Sequence, residues 1–590
     1  MPIENIQGQV SYTEKDVTGQ GVQAEALGGI GKVNVETLVP GRNLKVRLGV
    51  EGTVDISSMQ QLISPQLASR FEGESIWEGF VEVDSQGVNI AMESDLLGTE
   101  FDFPQPFAKT EKEVEDVTVK FQAGRDQESQ LQVQSKQYNL YFESNEQQSL
   151  LDRGLISAWN ESTQKFLTTD GDRAKFLPEE GIDIFATGIE VDIDEWLQDI
   201  QEMAEIPSDS QQTQPFNERL RNLDIKPKDL TFFGKNLGET NYIAQSVDGL
   251  NWNIEIEGQY ANGVGKMTPF ADNPVYEFTF DRLHWPSEKE LLARGIVVPK
   301  PEEDSNTNKP NTYPEVDIQA RNFRIFDKDF DQLSLKAGVN GNAWEFKEIT
   351  LAAPGIDINA TGQWFDNGSR NGMTKIVANA SSKEGGKFLK AFGFDGFMKD
   401  GEIEFDFSAF WRGAPVHFGF DRLNGDYNLD IRDGSFPKVD SESGRFFGLL
   451  NVNALSRRLK LDFGDVFGKG LVFDRMKTEG IFDGGDIVLK EFFILSPSVY
   501  VEANGKIGLE REVYDLDMLV SPQLGGNVAL LAAISNPAAG AVVWLVDRIF
   551  KNQLNKVIVY RYKIAGPWSA PTINRAIRNE PDNEEPESFN

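Results

Sequence analysis

Only two histidines, His284 and His417, stand in the 590 residues, and there is no cysteine. That inventory removes thiolate chemistry, disulfides and most zinc or histidine-based catalytic designs. Carboxylates are the plentiful reactive type. Glu255/Glu257 and Glu402/Glu404 are each two residues apart, which sets each pair on one face of a strand. Two carboxylates on one face would serve glycoside hydrolysis, although a solvated outer face is the commoner reason for such spacing. Asp327-Lys328-Asp329-Phe330-Asp331 opens like a calcium loop, but Gln332 takes the place of the required glycine and Gly338 that of the bidentate glutamate. Gly28-Gly29-Ile30-Gly31 fails as a dinucleotide loop because its third glycine is replaced by Asn34, and no P-loop exists. No catalytic residue, cofactor or metal is therefore expected, and the role is read as non-enzymatic.

Strands must carry whatever these residues do. Lysine and arginine number 58 against 93 acids, a net charge of −35, which argues against nucleic acid as a partner and for a well-solvated surface. A chain this long exceeds one compact core. Period-two alternation recurs at Leu44-Val46-Leu48-Val50, Ile182-Ile184, Ile254-Ile256, Tyr276-Phe278-Phe280, Leu333-Leu335, Ile356-Ile358 and Ile403-Phe405-Phe407. Phe80 to Val83 and Val88 to Ile90, joined through Gly87, read as a hairpin. Asn340-Gly341, Asn367-Gly368 and Asp400-Gly401 read as turns. Helices are few. Asp192 or Asp194 would cap one with Ile193, Trp196, Leu197, Ile200 and Met203 on its apolar face, and Ser287 with Glu290 forms a capping box before Leu291-Leu292. Too few helices remain to cover the apolar strand faces. A sheet curled into a trough and two sheets packed as sandwiches both answer that problem, and the pattern leaves both open.

The end of the chain changes character. Leu459, Leu461 and Phe463 alternate with Lys460 and Asp462, and Tyr514, Leu516, Met518 and Val520 repeat the alternation. Met518 to Val546 then carries no charge, but Pro522, Pro537, Gly525, Gly526 and Gly540 interrupt it. An apolar helical hairpin bent at Pro537 fits better than a single spanning helix. Arg548, Lys551, Lys556, Arg561, Lys563, Arg575 and Arg578 follow with no acid among them, a cluster suited to anionic headgroups or to pairing with the acidic tail.

Leu459-Lys460-Leu461-Asp462-Phe463-Gly464-Asp465-Val466-Phe467, with Gly470, Phe473 and Asp474, resembles the C-terminal region of the YhdP family of large AsmA-like proteins of Gram-negative bacteria. Ser94 to Gly98 with Pro104 and Pro106, Asp192 to Trp196, Asp281-Arg282-Leu283, Ala360 to Trp364, Trp411 to Pro415, Val520 to Leu524 and Gly566-Pro567-Trp568 match in order. The resemblance implies a long β-groove, anchored in the inner membrane by an N-terminal helix, that moves phospholipids toward the outer membrane. No such anchor opens this sequence, so it looks like the C-terminal, outer-membrane-proximal part of a longer periplasmic protein.

The expected fold is mostly β: an elongated, curled antiparallel sheet forming an apolar groove, with a few short helices and a C-terminal apolar helical hairpin. Expected segments are 1–206 and 207–314 as groove, 315–523 as the AsmA-like groove region, 524–578 as hairpin and final strand, and 579–590 as acidic tail. Ile403, Phe405, Phe407, Leu459, Leu461, Phe463, Leu516 and Met518 would line the groove. Val542, Trp544, Leu545, Ile549, Arg548 and Lys551 would touch a membrane. Phospholipids and the inner leaflet of the outer membrane are the expected partners. A structural or adhesin-like β-protein and a polysaccharide-active enzyme are the alternatives.

Overall fold

The computed structural model describes residues 4–61, 69–124, 128–144, 153–159, 177–193, 195, 196, 199, 219–232, 235–294, 313–325, 328–365, 372–391, 398–415, 418–437, 470–509, 511–522 and 560–575. Strands dominate, and the chain divides into two compact units, Met1–Lys300 and Pro301–Asn590.

In the first unit the strands follow one another in space as they do in sequence. Val17–Ala26 pairs with Gly29–Val39, which pairs with Lys45–Asp55, and so on through Val275–Trp285, almost always antiparallel. Local hairpins explain the order. Phe71–Val83 turns through Asp84, Ser85 and Gln86 into Gly87–Ser94, with the Asp84 carboxylate accepting from the backbone N–H of Gln86 and of Gly87. The exception is a parallel set: Arg153–Trp159, Gly181–Thr187 and Leu220–Lys226 run side by side in the same direction. Glu190–Asp192, Asp229–Phe232 and Lys235–Asn236 form a separate small sheet.

The second unit is a meander from Glu315–Ile325 to Thr572–Arg575, antiparallel throughout its described pairings. Lys399–Arg412 between Met373–Ser382 and Asn424–Phe436 is typical. The turn expected at Asp400-Gly401 lies instead inside this strand. Asp400 and Gly401 both take positive φ, 58° and 86°, as does Asp433 (53°) across the pair, so the two strands distort together and continue in unchanged register. Asn340-Gly341 does make its turn, between Gln332–Asn340 and Ala343–Ala353.

Two α-helices are fully described. Glu288–Ala293 starts at Ser287, whose hydroxyl accepts from the Glu290 N–H, as the capping box requires. Gly385–Ala391 buries Phe388 against Ile356, Met398 and Ile403. Asp192 accepts from the Glu195 N–H, a capping contact at the start of the other expected helix. Among the described residues no helix is long and apolar enough to cross a membrane.

Candidate functional site

Strand register turns the alternation of single strands into rows that cross whole units. Because side chains alternate sides, residues paired across every ladder share one face. In the first unit one such row runs Val22, Val33, Val50, Gly79, Met92, Val119, Val133, Leu140, Ile156, Ile184, Leu223, Ala244, Ile254, Gly265 and Phe278, without a polar residue. A parallel row holds Val35, Leu48, Val81, Ile90, Phe121, Leu131, Phe142, Gly154 and Ile182. One residue along, the opposite face reads Lys32, Glu51, Glu78, Glu93, Thr118, Gln134 and Asn139. At about 4.8 Å per strand spacing, the first row extends for roughly 65 Å of strand-to-strand path.

The second unit repeats the design. Ile318, Leu335, Ile349, Ala360, Ala378, Phe407, Tyr427, Gly480, Leu489, Gly505, Leu516, Ile564 and Ile573 form one row. Gln319, Ser334, Thr350, Asn359, Asn379, Asp406, Asn428 and Glu479 form a row on the opposite face. Glycine within the apolar rows makes room for rings. A Cβ on Gly265 would stand 2.3 Å from Cδ1 of Phe278, so the ring lies over the neighbouring backbone.

Exposure along these rows is uneven. Val33, Val50, Met92, Val119, Leu140, Ile156 and Ile184 are half-buried, as are Ile318, Leu335, Ile349, Ala360 and Ala378. A solid core takes over at one end of the earlier strands, with Ile356, Ala380 and Ile403, and across the later ones, with Ile431, Met476, Leu489, Ile494, Val501 and Ile564. The expected lining residues divide between core and half-buried surface, even within the single strand Lys399–Arg412. Ile403 and Leu516 are 1% exposed and Met518 is buried, whereas Phe405 and Phe407 remain half-buried with their rings 6.1 Å apart. Leu459, Leu461 and Phe463, with Val542, Trp544, Leu545, Arg548, Ile549 and Lys551, lie outside the described residues.

Electrostatics keep the two faces distinct. Burial pushes the phenols of Tyr242 and Tyr427 up and that of Tyr138 to about 12, so these rings on the apolar side stay neutral. On the polar side Asp430 takes a forked contact from Arg475, at 3.0 Å from Nε and 2.5 Å from Nη2, while Glu491 receives Lys477 at 2.6 Å. Glu402, Glu404, Glu255 and Glu257 are exposed there, and Glu404 faces Arg432 at 3.4 Å, which suits a solvated face. Phe330 of the calcium-like stretch lies in Lys328–Phe330, hairpin-paired to Phe323–Ile325, and no acidic cluster with metal-holding geometry occurs among the described residues.

Sequence reasoning missed one group. Trp344, Trp364 and Trp411 sit at one margin of the second unit's apolar face, with Tyr313 packed on the first two. The signal was present as a change of parity: Trp344 and Phe346 are even, Ile349 and Leu351 odd, and a register shift between Phe346 and Ile349 puts all four on the same side.

Comparison with known proteins gives the same direction. The chain is 23% identical over 305 residues to the Intermembrane phospholipid transporter YhdP of Escherichia coli (strain K12), a match covering 50% of this chain and 24% of that protein. It therefore spans only a fraction of that relative's length. The profile described as YhdP protein matches residues 1–573. On that near-complete match, the chain belongs to the YhdP family.

Proposed function

We propose that the apolar faces are troughs for the acyl chains of phospholipids, and that the chain carries lipid between the inner and outer membranes of a Gram-negative cell as the periplasmic part of an inner-membrane-anchored protein. The reading is a non-enzymatic one, with no cofactor. The observation that carries it is the apolar row left half-exposed on consecutive strands, from Val33 to Leu223 in the first unit and from Ile318 to Phe407 in the second, a surface that soluble proteins otherwise bury. An acyl chain occupying about half of a bilayer's 30 Å hydrocarbon core spans only three or four strand spacings. Each methylene kept from water is worth about 0.8 kcal/mol, so a continuous apolar path lowers the barrier to crossing the aqueous gap while the head stays near solvent. The name of the Escherichia coli relative supports phospholipid as cargo. In this reading residues 524–550 form the apolar hairpin that meets the inner leaflet of the outer membrane, with the basic cluster from Arg548 onward on its headgroups.

A photo-crosslinking residue in place of Ile358, on the apolar face, should capture lipid in the purified chain, and one in place of Asn359 should not. Mass spectrometry of the captured adduct should return phospholipid. Equal labelling at both positions would overturn the assignment of faces, and a lipid-free extract would favour a purely structural β-protein.

A further inference from the structure

The margins of the second unit's apolar face are unlike each other. At one margin the helix Gly385–Ala391 lays Phe388 onto Ile356, Met398 and Ile403, so that side is closed by packed apolar side chains. At the other stand Tyr313, Trp344 and Trp364, all half-buried, with the tyrosine ring 4.8 Å from that of Trp364 and 6.1 Å from that of Trp344. Their donors are unequally satisfied. Trp344 Nε1 donates to the Pro314 carbonyl at 2.8 Å, and farther along the margin Trp411 Nε1 donates to the Ala414 carbonyl at 3.1 Å. Trp364 Nε1 is shielded from water and has no hydrogen-bond partner. Indole and phenol rings have an apolar body and a polar edge, the combination that settles at the level between acyl chains and headgroups.

Resting on the lipid reading above, we propose that the Tyr313–Trp344–Trp364 margin is the headgroup side of the second unit's trough. Its indole and phenol rings sit there at the level of the lipid's glycerol-ester region. The acyl chains run inward over Ile349, Ala360 and Ala378, toward the margin that Phe388 closes. Lipid in this unit is thus held in one orientation, with its head never on the helix side.

Indole fluorescence of the full chain tests this with two spin-labelled phosphatidylcholines, one labelled on the headgroup and one near the acyl terminus. The share of quenching due to Trp364 is the difference between the unaltered chain and Trp364→Phe. The headgroup label should quench that share at least twofold more than the acyl label does. The reverse order, with lipid still bound, overturns the headgroup assignment and leaves the trough intact. No quenching of any tryptophan by either lipid, together with no capture by the crosslinker at position 358, overturns the trough itself. Should Trp364→Phe fail to fold, Trp344→Phe reports the same margin and is held to the same ordering.

Discussion

Phe405 and Ile403 stand two residues apart on one strand face, but one is half-buried and the other 1% exposed. An aspartate at 405 would keep part of its hydration, whereas one at 403 would be buried in the cluster with Ile431 and Met476. Phe405→Asp should therefore cost about 1–2 kcal/mol of stability and Ile403→Asp roughly 3–5 kcal/mol. Denaturant titration reads both, and capture of lipid at position 358 should fall in the folded Phe405→Asp chain. Equal destabilisation would mean that position 405 is as solidly packed as 403. On the polar face, Lys45 at 2.6 Å and Arg47 beside it hold the Glu82 carboxyl below the usual carboxylate range. A folded-state pKa below the unfolded one gives stability that is present at neutral pH and fades as pH falls through the folded value. Because both cations are partly exposed, Glu82→Gln should cost about 1–2 kcal/mol at pH 7, and that deficit should disappear once pH falls below the lowered folded-state pKa. A deficit that persists in acid would assign the effect to packing instead.

At the scale of the strand, single glycines hold the ladders. Gly505 lies within Val499–Gly508 at φ 126°, and a Cβ there would stand 2.2 Å from the Asp515 carbonyl oxygen. Gly505→Ala should therefore destabilise by roughly 2–3 kcal/mol through backbone strain and the clash with that oxygen. Hydrogen exchange would show the loss first in Val499–Gly508 and Val513–Pro522; a uniform loss across the chain would contradict a local cause. Much of this scale was legible in the residues. Ile254-Ile256 and Ile403-Phe405-Phe407 declare strands through period two, and Gly87 and Asn340-Gly341 declare hairpins. Local distortions were not, because a distorted strand and a turn use the same residues: Asp400-Gly401 continues a strand because Asp433 distorts in step across the ladder. The tryptophan margin was hidden for the same reason, since the bulge after Phe346 changes which positions share a face. Nor does a strand's own sequence say whether a neighbouring layer covers it. That is why Leu516 and Phe405 look alike in sequence and differ in exposure.

For the whole molecule, a net charge of −35 sets the terms of membrane contact. An acidic chain is repelled by anionic bilayers unless a local basic cluster reverses the sign; in the lipid-transport reading proposed above, the cluster from Arg548 to Arg578 would do so, with Lys563 already paired to Asp515 and Asp517. The intact chain should float with anionic vesicles, and a chain lacking residues 524–550 should not. Equal flotation would place the contact elsewhere. The parallel set in the first unit has a different consequence, one that concerns the order of assembly. On either side of Arg153–Trp159, Gly181–Thr187 and Leu220–Lys226, most neighbouring strands are close in sequence and their ladders close short loops, although Leu220–Lys226 meets Thr240–Ser246 only after the chain has passed through Asp229–Phe232 and Lys235–Asn236 of the small sheet. Across the parallel set the chain must bring together strands separated by residues 160–180 and 188–219 before any ladder contact compensates for the closure entropy. The first unit should therefore nucleate as two separate meanders, and pulsed hydrogen exchange should find the parallel ladders that complete its apolar row protected last; simultaneous protection of all its ladders would contradict this order.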